Sequence, residues 1–296
     1  MVDIEHLKTE TRNKKTMNLD LLTTKEILTI MNDEDLNTVA TVKEAIEDIE
    51  HCVELVIKTL NQGGRCIFVG AGTSGRLGIL DAVECVPTFA TTDEILGIIA
   101  GGNEAFVKAV EGAEDSKELA KKDLQDINCS SKDMVIALAA SGRTPYAIGA
   151  LEYAKSIGAK TGSISCNKNS ELSKYSEVAI EVDAGPEILT GSTRLKAGTC
   201  QKLILNMITT TSMIGIGKVF GNLMVDMKAT NEKLVERAKR IVMMATECDI
   251  KKAEEALMKC DYHCKTAIVM ILLNIGEEEA KHKLNEVNGF VRKAIQ

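Results

Sequence analysis

The sequence predicts an α/β protein, with an open, mostly parallel sheet covered by helices on both faces and a small all-helical C-terminal domain. Three observations predict it. Short apolar runs of strand length alternate with segments of helical periodicity along most of the chain. Two of those runs end in loops rich in Gly, Ser and Thr, at the position where open α/β sheets bind ligands. Beyond Asp226 strand-like runs vanish and helical periodicity takes over.

The elements follow in order. Over residues 41–60, Val42, Ala45, Ile46, Ile49, Val53, Val56, Ile57 and Leu60 recur at helical spacing, and Gly63 and Gly64 close the helix. Residues 66–69 form a continuous apolar run of the kind found in central parallel strands. Further strands are expected at 95–100, 134–139, 161–166 and 178–182, with helices at 77–84, 105–110 and 147–157. Residues 203–216 are apolar but interrupted by Asn206, Thr209, Thr210, Thr211 and Ser212, which suits a buried helix rather than a bilayer span. Helices are then expected at 232–246, 251–258, 265–274 and 277–287. The expected boundaries are 1–226 for an N-terminal helical segment with the α/β domain and 227–296 for the helical domain.

With 296 residues, 45% apolar and 27% charged, the chain is long enough for a substantial core. Aromatic residues are 3% and Trp is absent, which removes the stacking platforms of single-strand nucleic-acid binders. A formal charge of −7 with no long basic run argues against duplex binding. Any hold on a phosphorylated ligand must come from local groups. Residues 1–15 are polar and lack the apolar core of a secretion signal, so a cytoplasmic protein with no membrane partner is expected. Its nine scattered cysteines then read as reduced, mostly buried thiols. Cys260, His263 and Cys264 cluster, but no second Cys/His pair stands at finger-like spacing, so they read as packing residues and no metal is implied.

The loop 70–76, Gly-Ala-Gly-Thr-Ser-Gly-Arg, contains a literal G-x-G-x-x-G after a strand. A dinucleotide site also needs an acid at the far end of the second strand; here Asp93 and Glu94 precede that strand. No Lys-Ser/Thr pair ends the loop, which excludes a Walker motif. No cofactor is expected. What the loop offers is backbone N–H groups, a helix N-terminus, the hydroxyls of Thr73 and Ser74, and Arg76: an anion site for one phosphate. Ser141, Gly142, Arg143 and Thr144 repeat the formula, and the stretch 190–199, with Ser192 and Lys196, offers a third version. One such loop is an ordinary turn with a helix cap; three in one chain point to a phosphorylated ligand.

Two acids stand out. Glu84 lies roughly two helical turns past the first loop, among Ile79, Leu80, Ala82, Val83, Cys85 and Val86. That setting, if buried, would raise its carboxyl pKa. Glu114, in Glu114-Asp115-Ser116, also reads as the start of a helix, where acids suit the dipole. Spacing leaves open whether the two meet.

These residues resemble a known family. The runs VGAGTSGRLGILDAVECVPTF, AVEGAEDS, AASGRTPY, TGSTRLKAGTCQK and GKVFGNLMVD, with the N-terminal TETRN, are similar to the motifs of N-acetylmuramic acid 6-phosphate etherases, and the likeness covers nearly the whole chain. The resemblance implies a sugar-isomerase (SIS) three-layer sandwich with a small helical C-terminal domain. It implies cleavage of the ether between D-lactate and C3 of N-acetylmuramic acid 6-phosphate, giving N-acetylglucosamine 6-phosphate and D-lactate. The family's two active-site glutamates fall on Glu84 and Glu114. Superfamily members are commonly dimers, so a homodimer is expected.

The chemistry is consistent with that assignment. An ether oxygen leaves poorly, whereas the C1 aldehyde of the open sugar acidifies the C2 proton and permits elimination across C2–C3. Elimination needs a base at C2 and an acid at the departing oxygen, roles for two carboxyls in opposite protonation states. Glu114 is expected as the base and Glu84 as the acid. The alternatives are a phosphosugar aldose–ketose isomerase, which needs no acid at C3, and a phosphosugar-sensing regulatory protein, which has no need of both glutamates and would bind without turnover.

Overall fold

The computed structural model describes residues 7–108, 110–227, 229 and 231–296. Residues 1–6, Ala109, Lys228 and Thr230, which belong to the N-terminal stretch, the expected helix at 105–110 and the expected C-terminal domain, lie outside the described residues. The chain forms two compact units, one of Met1–Ala82 with Glu94–Thr209 and one of Val83–Asp93 with Thr210–Gln296.

In the first unit, strands β1 (Cys66–Gly70), β2 (Ile95–Ile99), β3 (Met134–Ala139), β4 (Lys160–Ser165) and β5 (Val178–Glu181) form one parallel sheet in the order β2-β1-β3-β4-β5. β1 and β3 are buried at every position, as unbroken apolar runs predict for central strands covered on both faces. Their side chains alternate. Ile67, Val69, Val135, Ala137 and Ala139 pack into a core with Leu124 of α5 (Lys117–Asp126) and with Tyr146 and Leu151 of α6 (Pro145–Ser156). On the opposite face Phe68 meets Gly78 of α3 (Gly72–Phe89), where a Cβ would come within 3.0 Å of the Phe68 Cβ.

The expected helix over 41–60 is in fact two, α1 (Thr24–Lys43) and α2 (Ile46–Asn61). α1 begins in a capping box: Thr23 accepts from the Glu26 N–H, and the Glu26 carboxylate accepts from the Thr23 N–H at 2.8 Å. It buries Glu34, Thr38 and Val42, a largely polar stripe that apolar periodicity does not reveal. After β2 comes the short α4 (Gly102–Val107); α7 (Lys196–Gly215) starts in this unit, and the apolar stretch at 203–216 lies almost wholly within it.

The second unit holds α8 (Glu232–Thr246), α9 (Ile250–Lys259), α10 (Cys264–Leu273), α11 (Glu277–Glu286) and α12 (Val291–Ala294) around a core that includes Ile241, Leu257, Ile268 and Leu284. Asn231 and Asp249 cap α8 and α9, accepting from Leu234 N–H at 2.9 Å and Lys252 N–H at 2.8 Å. A two-residue hairpin, β6 (Val219–Phe220) with β7 (Leu223–Met224), is too short to leave a periodic signal. Cys260 donates to the Ala256 carbonyl at 3.2 Å, and His263 Nδ1 lies 2.6 Å from Thr266 Oγ1. Among the described residues no disulfide forms, and of the nine cysteines all but Cys248 are buried. No helix among the described residues is long and apolar enough to cross a membrane.

Candidate active site

The chain leaves β1 toward β2 on one side and returns to β3 on the other, so successive connections diverge between the carboxyl ends of β1 and β3. Such switch points leave a crevice. A cleft of about 490 Å³ lies there.

Each wall is built locally. A Cβ on Gly75 would sit 2.6 Å from the Gly70 carbonyl oxygen, so only glycine lets the first turn of α3 close against the strand end. That turn presents Gly72, Thr73 and Ser74 to the cleft, with the helix N-terminus behind them. From β3 come Ser141, Arg143, Thr144 and Pro145. Gly142 takes φ +72° to make this turn, and a Cβ there would lie 2.3 Å from that of Ser170. Thr144 occupies the N-cap of α6, yet its hydroxyl makes no capping bond and Pro145 needs none, so that hydroxyl is not spent on the helix. Glu114 and Asp115 line the same cleft, as do Glu10 and Thr193.

Three acids and one base line the cleft. Net charge therefore does not attract an anion; the groups in the lining that can bind one are hydroxyls, backbone N–H groups and the Arg143 side chain. A neighbouring compartment of about 340 Å³ shares Ser141 and Arg143 and extends to Asn167 and Ser170 after β4.

Of the residues expected at the site, Thr73, Ser74, Ser141, Arg143, Thr144 and Glu114 are brought together here. Others are placed differently. The Arg76 guanidinium donates to the carbonyls of Ala105 (2.7 Å) and Phe106 (2.9 Å), fixing α4. Lys196 is buried and bonds Glu34 at 2.9 Å. Ser192 does not line the cleft; its neighbour Thr193 does. Glu84 belongs to the second unit and is exposed, so the buried setting expected for it is not found.

Sequence reading missed Glu10, Asp115 and Thr193 as cleft residues, although the first sits in the TETRN run and the others adjoin named positions. It also missed two buried acids. Burial pushes the Asp81 carboxyl upward, against the Asn206 amide that bonds it at 2.6 Å. Glu187 is likewise raised by burial, against the N–H groups of Ala197 and Lys196 that it accepts at the start of α7.

Comparison with known proteins gives first a class. The glucokinase regulatory protein N-terminal SIS domain matches residues 48–155, the SIS domain residues 111–210, and the C-terminal lid domain of glucokinase regulatory protein residues 221–267. A phosphoheptose isomerase from Francisella tularensis shares the fold with a TM-score of 0.53 at 14% identity, over 65% of this chain and 100% of that one. The parallel sheet with its switch-point cleft is thus an SIS domain, the expected fold class. The relatives narrow it. N-acetylmuramic acid 6-phosphate etherases from Geobacillus sp. (strain WCH70) and Bacillus mycoides (strain KBAB4) are 62% and 60% identical, over 99% of this chain and 100% of each of theirs. The chain belongs to the N-acetylmuramic acid 6-phosphate etherase family.

Proposed function

We propose that this protein cleaves the D-lactyl ether of N-acetylmuramic acid 6-phosphate, releasing D-lactate and N-acetylglucosamine 6-phosphate. The observation that carries the proposal is identity of 62% with a protein of that name across both chains. The SIS fold alone serves isomerases equally well.

The cleft suits the chemistry. Cleft hydroxyls, the α3 N-terminus and Arg143, its one cationic side chain, are candidates to hold a phosphate. Glu114, in the same cleft, takes the C2 proton. The C2 electron pair forms the C2–C3 double bond, the C3–O bond breaks, and lactate leaves with a proton from the acid. Water then adds at C3, C2 regains a proton, and the 3-hydroxyl sugar results. Glu84 is assigned the acid's role and the delivery of water from its place in the DAVEC motif. The protein acts as a homodimer in the cytoplasm in this proposal, both to be checked by sedimentation and by fractionation.

The test is release of D-lactate from N-acetylmuramic acid 6-phosphate. Turnover without lactate would mark an isomerase, and binding without turnover a sensor; either would overturn the proposal.

A further inference from the structure

Ser74 is 7% exposed, and its hydroxyl donates to Oε1 of Gln201, on α7, at 2.9 Å. Gln201 is itself 1% exposed, and its Nε2 is buried with no partner among the described residues. This arrangement has a chemical consequence. A hydroxyl whose proton goes to Gln201 can only accept from a ligand, whereas a phosphate dianion accepts and has nothing to donate. Ser74 as it stands therefore cannot serve an anion in the cleft it lines.

Turning the Gln201 amide over resolves the conflict. Nε2 would then donate to Ser74 Oγ and release the serine proton toward the cleft. The turn exchanges one unpaired amide atom for the other, so the protein interior hardly favours either state, and oxygen and nitrogen of an amide are nearly equal in shape. A bound anion does favour one of them, because only one gives it a donor. We propose that Gln201 is a positioning residue which, through amide reversal, makes Ser74 a hydrogen-bond donor to the substrate's phosphate. The role of Ser74 at the phosphate is taken from the function proposed above.

The experiment measures KM, kcat and competitive inhibition by inorganic phosphate for the wild type, Q201E, Q201M and S74A, and for each Gln201 variant combined with S74A. Glutamate at this position accepts only and holds the serine proton away from the cleft. Q201E is expected to raise KM and the phosphate inhibition constant on the order of 30-fold, the loss of one charge-assisted hydrogen bond. Q201M, which neither accepts nor donates to Ser74, is expected to raise them about 5-fold, with kcat changed much less in both. In chains carrying S74A both effects should vanish. Equal effects of Q201E with and without S74A would overturn the proposal, because charge or folding and not the serine proton would then be responsible. Should Q201E fail to fold, Q201M with and without S74A decides by the same criterion. If S74A leaves KM and phosphate inhibition unchanged, phosphate is not held by Ser74 at all, and this inference falls together with the placement of phosphate in the cleft.

Discussion

Lys196 Nζ lies 2.9 Å from Glu34 Oε2, and both side chains are more than nine-tenths buried. Glu34 also receives Lys15 at 2.8 Å and the Asn13 amide at 2.9 Å. The N-terminal segment, α1 and α7 are thus joined by one carboxylate. Removing it leaves Lys196 as a buried cation without its counter-charge. E34A is expected to cost about 3–5 kcal/mol in urea unfolding. K196M leaves Glu34 its Lys15 partner and should cost less, about 1–3 kcal/mol. Equal losses would contradict this asymmetry.

The same carboxylate sets a pH dependence. Burial works to raise Glu34, but bonds from Lys15 and Lys196, the charge of Lys196 and the Asn13 amide outweigh it and hold the group at about 2, against an ordinary 4.5. The unfolded chain binds the proton more readily, so the stabilisation is complete above about pH 4.5 and is lost as pH falls toward 2. Urea midpoints measured over that window should fall more steeply for the wild type than for E34Q.

For the two glutamates, solvent exchange at C2 separates the roles. With substrate in deuterium oxide, E84Q should still incorporate deuterium at C2 while lactate release falls about 10²–10⁴-fold. E114Q should lose both, by a similar factor. Exchange retained in E114Q and lost in E84Q would reverse the assignment.

Arg76 and Thr144 make a contrasting pair. The guanidinium is committed to two carbonyls, so R76M is expected to lose about 2 kcal/mol of stability with KM within a few-fold of wild type. T144A should do the opposite, raising KM about 10-fold with little change in thermal midpoint, since its hydroxyl caps nothing. A KM rise in R76M larger than in T144A would put the guanidinium on the ligand.

In the second unit Asp226 is 2.7 Å from Lys265 and 3.3 Å from Lys218, with Asp226 and Lys265 both buried. D226A leaves Lys265 uncompensated and is expected to cost about 3–5 kcal/mol by thermal or urea unfolding. Adding K265M should restore part of that loss, because the stranded charge is then gone.

Much of the fold is legible because its signals are local. The β1 and β3 runs are apolar at every position, and only a central parallel strand buries both faces. α8 spans the expected 232–246 to the residue, and the structure adds Asn231 as its cap. α1 was not legible, because the stripe it buries contains Glu34 and Thr38, which turn inward only when Lys196 and the N-terminal segment are there to meet them.

The parallel α/β order, the hydroxyl-rich loops after the first and third strands, and the family motifs around Glu84 and Glu114 are all written in local residue patterns. Which residues of the three similar loops face one cleft was settled by tertiary packing: the third loop contributes Thr193 and not Ser192. Thr73, Ser74, Ser141 and Thr144 meet because β1 and β3 are neighbours at the switch point. Arg76 and Lys196 carry equally suitable charges but are held elsewhere, by carbonyls 29 and 30 residues away and by a carboxylate 162 residues away. A long cationic side chain goes to whichever acceptor folding brings within reach, and for these two that acceptor lies far along the chain, where no local motif records it.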